Sequence, residues 1–291
     1  MIAPQEVFLQ QNLPKVEPVM YGIVNVSVAN MRQWALFQSE TVNQVVLGNT
    51  VSIFEFQNDF YYVENRDGYH GWLNKHILVT GSREMVAEWE NSERIVCNQH
   101  YAMVREKPDH QSTVISDVVP CANLRLLEPV SGFAKVALPD GRVGYIENKN
   151  YISETEQKSL KVTPQKIATL VRQFLGLPYF WGGITPKGFD CSGLVQTTFR
   201  LLNVELPRNA SQMANIGEEV DIKNGFDNLQ IADLLFFGNT LKRITHVAIY
   251  LGDLLFIHAE GYVKINSLNQ NDSQFNEMRY NTLLKARRVL V

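Results

Sequence analysis

The sequence predicts an α+β chain of three domains: two copies of a small β-domain, then a mixed domain with helices and antiparallel strands. Three observations point there. The 291 residues give a prior of about two domains, with three small ones also allowed. An internal repeat appears at an offset of 73 residues. A polar stretch, Ser153-Glu154-Thr155-Glu156-Gln157-Lys158, then separates the repeat from a segment with helical periodicity. The expected boundaries are residues 18–80, 95–152 and 160–291.

The repeat aligns without a gap. Arg32 falls on Arg105, Ser39 on Ser112, Val45-Val46 on Val118-Val119, Phe60 on Phe133, and Asp67-Gly68 on Asp140-Gly141. It holds 11 identities in the 41 positions from 32 to 72, where chance gives roughly two or three, so it marks a duplicated unit. In the first copy, short apolar runs predict strands at Val24–Val28, Thr50–Phe56, Phe60–Glu64 and Gly71–Leu73. Asn58-Asp59 and Asp67-Gly68 supply the turns. Glu84–Arg94, acidic and helix-permissive, reads as a connector.

In the third domain, Thr163 caps a helix with Pro164 at its first position; Ile167, Leu170, Val171 and Phe174 line one face and Gly176 ends it. An aromatic and glycine-rich loop, Pro178 to Gly183, leads to Asp190-Cys191-Ser192-Gly193. Leu194, Val195, Phe199 and Leu202 then mark one face of a helix starting near Asp190. A thiol in a first helical turn lies beside unpaired backbone N–H groups, which favour the thiolate nucleophile. A buried, inert Cys191 is the alternative. His246 and His258, the third domain's two histidines, flank the runs Val247–Leu251 and Leu254–Ile257. Gly252-Asp253 turns the chain between them, and a hairpin puts both rings on one sheet face. Cys with two histidines suits covalent catalysis; a zinc site of the same three residues lacks a local ligand pair.

Composition narrows the function classes. Charged residues make up 20% and the net charge is −3, split as −6 over residues 1–159 and +3 over 160–291, which argues against a nucleic-acid binder. No apolar run approaches the ~18 residues of a membrane span. The first residues lack a basic stretch followed by an apolar one, so the expected compartment is the cytoplasm, or the outside of the cell if a leader was removed. Cys97, Cys121 and Cys191 are too few and scattered for a disulfide framework.

The pattern Asn30-Met31-Arg32, Val46 to Val51, and Asp67-Gly68-Tyr69-His70-Gly71-Trp72 resembles bacterial SH3 domains; the second copy is a weaker match. In the third domain the ordered segments YFWGG, FDCSGLV, LPRNASQ, DLLFF, THVAIYLGD and FIHA resemble the NlpC/P60 cysteine peptidases over about residues 160–291. With SH3-like domains in front, the chain is similar to the γ-D-glutamyl-L-diamino acid endopeptidases that cut peptidoglycan stem peptides. The resemblance implies a papain-like α+β catalytic domain. It implies Cys191 as nucleophile, His246 as general base and then acid, and His258 as the group orienting His246. Tyr179, with the Cys191 N–H, is implied as oxyanion donor. Ala232 stands where the family has glycine, read as harmless, and Asn209 where aspartate is common, which puts a charged contact there in doubt.

For the substrate, a free amino end demands a carboxylate in a closed pocket. Asp190 and Ser192 flank the nucleophile, though Asp190 is equally read as a helix cap. The resemblance points to Glu40 and Tyr69 of the first SH3-like domain, with a solvated turn as the alternative for Glu40, and Trp181 is expected to wall the substrate's alanine methyl. The expected enzyme acts as a monomer without metal or cofactor on short peptidoglycan-derived peptides with L-Ala first, touching neither nucleic acid nor membrane. A secreted hydrolase using its SH3-like domains to grip intact wall is the competing class. A non-catalytic peptide binder and an amidase of another substrate are the remaining ones.

Overall fold

The computed structural model describes residues 17–290. The first sheet holds β1 (Met20–Val24), β2 (Val28–Arg32), β3 (Thr41–Val46), β4 (Thr50–Gln57), β5 (Phe60–Asn65), β6 (His70–Asn74) and β7 (Leu78–Gly81). The second holds β8 (Arg94–Cys97), β9 (Ala102–Arg105), β10 (Val114–Val118), β11 (Asn123–Val130), β12 (Phe133–Ala137), β13 (Val143–Glu147) and β14 (Tyr151–Ser153). Strand order is β3-β2-β6-β5-β4-β1-β7 in the first and β10-β9-β13-β12-β11-β8-β14 in the second, the same order shifted by seven strands. The pairing carries the offset of 73 residue by residue: Phe60 faces Asn74 and Phe133 faces Glu147, while Arg32 faces Trp72 and Arg105 faces Tyr145. Side chains repeat it too. Ser39 Oγ accepts from the Trp34 N–H and Ser112 Oγ from the Lys107 N–H, both at 2.9 Å. The two sheets therefore derive from one design.

Three local expectations need correcting. Val24–Val28 is not a strand: Val24 ends β1, Val28 begins β2, and between them the Asn25 N–H donates to the Ile77 carbonyl at 2.9 Å. The run is apolar because its two ends point into the core, not because it is extended throughout. The connector condenses into α1 (Arg83–Glu90), capped by Ser82, and Arg94 already belongs to β8. The polar stretch after Tyr151 is α2 (Glu154–Ser159), capped by Ser153 with Glu154 and Glu156 in its first turn.

The third domain opens with α3 (Pro164–Arg172), where Thr163 Oγ1 accepts from the Lys166 N–H. Gly176 follows at φ +81. A two-residue ladder, β15 (Ile184–Thr185) and β16 (Gly188–Phe189), precedes α4 (Cys191–Leu201), and α5 (Ala210–Met213) follows it. A six-stranded sheet takes the rest: β17 (Glu218–Val220), β18 (Leu234–Thr240), β19 (Arg243–Gly252), β20 (Leu255–Glu260), β21 (Tyr262–Ser267) and β22 (Leu283–Arg288), with α6 (Glu277–Thr282) before the last strand. The order is β17-β22-β18-β19-β20-β21 and every pairing is antiparallel.

Every residue of α4 after Cys191 is buried. Its Leu194, Val195 and Phe199 join Phe174, Phe189, Val247 and Ile249 in one core, and each fully buried Phe contributes ~1.5–3 kcal/mol. A helix enclosed on all sides has one partly open residue, and that residue is Cys191. Among the described residues no helix is long and apolar enough to cross a membrane.

Candidate active site

Asp190 starts the nucleophile helix. Its Oδ1 accepts from the Gly193 N–H at 2.6 Å, which frees the first helical turn to close. Gly193 has no room for a side chain: a Cβ would lie 2.0 Å from the Gly183 carbonyl oxygen. The helix start is thereby clamped against the aromatic loop. That loop is held by Tyr179 N–H to Gly261 O at 2.9 Å and Phe180 N–H to Phe189 O at 3.0 Å. These bonds hold Tyr179 beside Cys191, close enough for the thiolate charge to raise the phenol's pKa further above the value that burial alone produces. At the first helical position, the Cys191 N–H lies outside the helix ladder and can face an oxyanion.

The histidines meet across the β19–β20 hairpin. Tyr250 faces Phe256 and Ile249 faces Ile257, so the pairing continued puts His258 opposite Ala248, two residues and one pleat from His246. The parity is right and the rings touch: His246 Nε2 lies 2.8 Å from His258 Nδ1, with the ring planes at 89°. The next residue, Val247, donates its N–H to the Cys191 sulfur. His258 Nε2 in turn reaches Asn266 Oδ1 at 2.9 Å. Both ring nitrogens of His258 are thus engaged within the protein. Among the described residues no group of three His, Cys, Asp or Glu side chains could hold a metal ion.

Burial sets the charge states. The Cys191 thiol is pushed up to about 11 by burial first and by the Asp190 carboxylate second, with the Val247 N–H and Arg208 opposing. His246 is driven well below the usual imidazole range by burial, helped by Arg279 and His258. Burial also pushes His258 down, to about 4, although Asn266 and Glu260 favour its charged form. Burial thus favours the neutral thiol and the neutral imidazole, so the helix terminus does not by itself yield a standing thiolate. A thiol that loses its proton to His246 during attack fits this arrangement.

The predicted substrate residues divide. Asp190 is drawn into the scaffold: its two oxygens accept from Gly182 N, Ser192 Oγ, Gly193 N and both Arg208 terminal nitrogens, at 2.5–3.2 Å. Five donors fill the roughly four lone-pair sites of a carboxylate, so the cap role leaves no free acceptor for an ammonium. Ser192 is likewise bound, between Asp190 and Arg208. Glu40 is exposed, and among the described residues its carboxylate has no side-chain partner. Tyr69 is buried and held as a phenol by burial; the charges of Arg208, Asp190 and Glu40 all reach it. Tyr69 therefore lies within electrostatic reach of the Asp190–Arg208 pair and of Glu40. Trp181 is 44% exposed, in the loop of Tyr179.

Sequence reasoning missed the residues that build the wall. Arg208, 3% exposed, donates to Asp190, to Ser192 Oγ at 2.8 Å, and through Nε to Asn43 Oδ1 at 2.7 Å. Gln44 Oε1 accepts from the Ile184 N–H at 3.0 Å. At Gly182, φ +78, a Cβ would lie 2.6 Å from the Thr41 carbonyl oxygen. Strand β3 of the first sheet is therefore a structural part of the site. The available signal was Asn43-Gln44, two adjacent amides interrupting an apolar strand. The two family departures are also resolved locally. Asn209 caps α5, its N–H meeting Gln212 Oε1 at 3.3 Å, a role Asn and Asp share. Ala232 is not a neutral change: it is held at φ +72, where glycine carries no Cβ penalty.

Residues 176–283 match the NlpC/P60 family and residues 27–78 the bacterial SH3 domain. The SH3 match covers β2 to β6 of the first sheet and reaches the start of β7, and the second sheet shares the first one's strand order. The chain is 28% identical over 269 residues to Dipeptidyl-peptidase 6 of Lysinibacillus sphaericus, covering 89% of this chain and 95% of that protein. It is 28% identical over 251 residues to Gamma-D-glutamyl-L-lysine dipeptidyl-peptidase of Bacillus cereus, covering 81% and 73%. The crystal structure of an NlpC/P60 family protein from Bacillus cereus aligns with a TM-score of 0.80 at 23% identity, covering 93% of this chain and all of that one. The chain carries an NlpC/P60 domain behind a bacterial SH3 domain, and it is a cysteine peptidase.

Proposed function

We propose that this cysteine peptidase hydrolyses the γ-D-glutamyl bond before the L-diamino acid in short peptidoglycan-derived peptides that carry a free amino-terminal L-Ala. The observation that supports the reading is that Tyr69 of the first sheet feels the charges of Arg208, Asp190 and Glu40, while Asp190 caps the helix that begins at Cys191. Glu40 supplies the carboxylate for the substrate ammonium and the Tyr69 hydroxyl a neutral acceptor. Cys191 attacks the γ-carbonyl as its proton passes to His246. Tyr179 and the Cys191 N–H receive the oxyanion, and His246 returns the proton to the leaving amine. Water then cleaves the acyl-enzyme by the same route in reverse. Relatives named for γ-D-glutamyl-L-lysine cleavage support the bond assignment.

A site closed at the amino end by a barrel admits free peptides and excludes stems still joined to glycan. That specificity suits recycling of wall peptides in the cytoplasm. The test pairs L-Ala-γ-D-Glu-L-Lys with its N-acetylated form. Cys191→Ala is expected to abolish turnover. Glu40→Gln is expected to lower kcat/KM for the free tripeptide about tenfold, one charge-assisted hydrogen bond being worth ~1.5–3 kcal/mol. The acetylated peptide should be a poor substrate and nearly indifferent to Glu40→Gln. Equal cleavage of both peptides by the wild type would overturn the amino-end reading in favour of wall binding.

A further inference from the structure

The hydrogen-bond chain behind the histidines ends at two backbone groups whose roles cannot change. The Arg279 N–H can only donate, and it points at Asn276 at 3.0 Å, so the atom it meets is Oδ1. The Gln274 carbonyl can only accept, and it lies 3.3 Å from Asn266, so the atom there is Nδ2. Asn276 caps α6 with its oxygen and must present its Nδ2 to Asn266, whose Oδ1 lies 3.0 Å away. That same Oδ1 meets His258 Nε2 at 2.9 Å. An oxygen needs a donor, so His258 Nε2 carries the proton.

From there the order propagates. Burial keeps His258 neutral near pH 7, so its Nδ1 is bare. The bare Nδ1 accepts at 2.8 Å from His246, whose proton must therefore sit on Nε2. Neutral His246 then keeps Nδ1 unprotonated, the one nitrogen left to take the Cys191 proton. The groups around these rings are Glu260, Arg279 and Lys264, and none contacts the Asn266–His258 link itself. The loop that leads to Asn276 is tied to the end of β21, which carries Asn266, by Ser267 N–H to Gln274 O at 2.9 Å and Asn276 N–H to Ser267 O at 3.1 Å.

We propose that Asn266 and Asn276 are positioning residues which set the tautomer of His246, so that a helix cap remote from the substrate decides whether Cys191 faces a base or an N–H. The proposal rests on the Cys191–His246 reading given above. Its test is Asn276→Asp. Aspartate caps helices as well as asparagine does, so the fold should hold, but a carboxylate oxygen now faces Asn266 Oδ1. The Asn266 amide is then driven to turn over, its Nδ2 donating to the carboxylate and to His258 Nε2 at the cost of the 3.3 Å bond to the Gln274 carbonyl, and both tautomers reverse. Asn276→Ser also caps α6 but only takes away the Nδ2 donor without adding an opposing charge, so Gln274 O alone holds Asn266 and the tautomer is held less firmly.

The expected result is a fall in kcat of at least about tenfold for Asn276→Asp, with KM and thermal midpoint close to wild type. A reversed tautomer in a Ser-His-Asp triad costs about 10⁴, an upper guide. Asn276→Ser should fall less, to a kcat between those of Asn276→Asp and the wild type. Imidazole 15N spectra should show protonated Nε2 on both histidines in the wild type and the opposite in Asn276→Asp. Equal kcat for the two variants, or a protonated Nδ1 on wild-type His246, would overturn the proposal. Turnover surviving Cys191→Ala would instead sink the parent reading, so the two failures are told apart.

Discussion

Arg208→Met should cost this protein more stability than any other single change at the site. The guanidinium is 3% exposed and makes four side-chain hydrogen bonds: two to Asp190, one to Ser192 and one to Asn43. Methionine nearly matches its volume but leaves the Asp190 carboxylate, 7% exposed, without a counter-charge. Breaking a buried pair by removing one partner costs about 3–5 kcal/mol. At about 2–4 °C per kcal/mol, the thermal midpoint should fall by roughly 6–20 °C, measured by calorimetry at pH 7. Adding Asp190→Asn should recover part of the loss, since asparagine still caps α4 and no bare charge remains. A midpoint within about 2 °C of wild type for Arg208→Met, or no recovery in the double variant, would refute the argument that this pair is a closed electrostatic unit.

Three further outcomes follow from the same geometry. Ala232→Gly should stabilise by about 1 kcal/mol in chemical denaturation, because the residue sits at φ +72; a loss of stability would mean that the buried methyl outweighs the backbone strain. With the Cys191 thiol pushed up to about 11, alkylation by iodoacetamide should quicken about tenfold per unit between pH 7 and 10, and a plateau from pH 5 to 8 would reveal a standing thiolate–imidazolium pair. His258 is lowered to about 4 in the fold, so below its ordinary 6.5 the unfolded chain binds more protons and stability drains away as pH falls toward 4. His258→Gln can keep both hydrogen bonds without titrating, so it should blunt that acid loss and retain more kcat than His258→Leu; equal kcat for the two would deny His258 an orienting role.

Local signals carried much of this molecule. The caps at Thr163 and Asp190 were legible because a side chain reaches a backbone N–H three residues on, a relation written within four letters. The histidine pair was legible from parity alone, since Gly252-Asp253 fixes the hairpin and the alternation fixes the face. What could not be read were relations between domains. Nothing near Arg208 announces Asn43, which lies 165 positions away on another sheet, and the saturation of Asp190 appears only once both are in place. Ala232 shows the other limit: a positive φ is imposed by the fold around it, through its N–H to Tyr250 O and the Asp233 N–H to Gln230 O.

The duplication explains how one barrel came to belong to the site while the other braces it. At equivalent positions 44 and 117, Gln44 meets the Ile184 N–H and Asp117 meets Lys187 at 2.6 Å, so both copies reach the same β15–β16 turn. At positions 69 and 142 they part: Tyr69 is reached by the charges of Arg208, Asp190 and Glu40, whereas Arg142 folds back onto Asp140 and the Ile115 carbonyl. The copies are also locked to each other. Gly48 sits at φ +77 where a Cβ would lie 1.9 Å from the Asn123 carbonyl oxygen, and its own carbonyl accepts from Trp89 Nε1 at 2.8 Å. Strand β3 of the first copy is bonded through Asn43 to Arg208, which holds Asp190 and Ser192 at the start of the catalytic helix, and the second copy is packed against the first at Gly48 and Asn123.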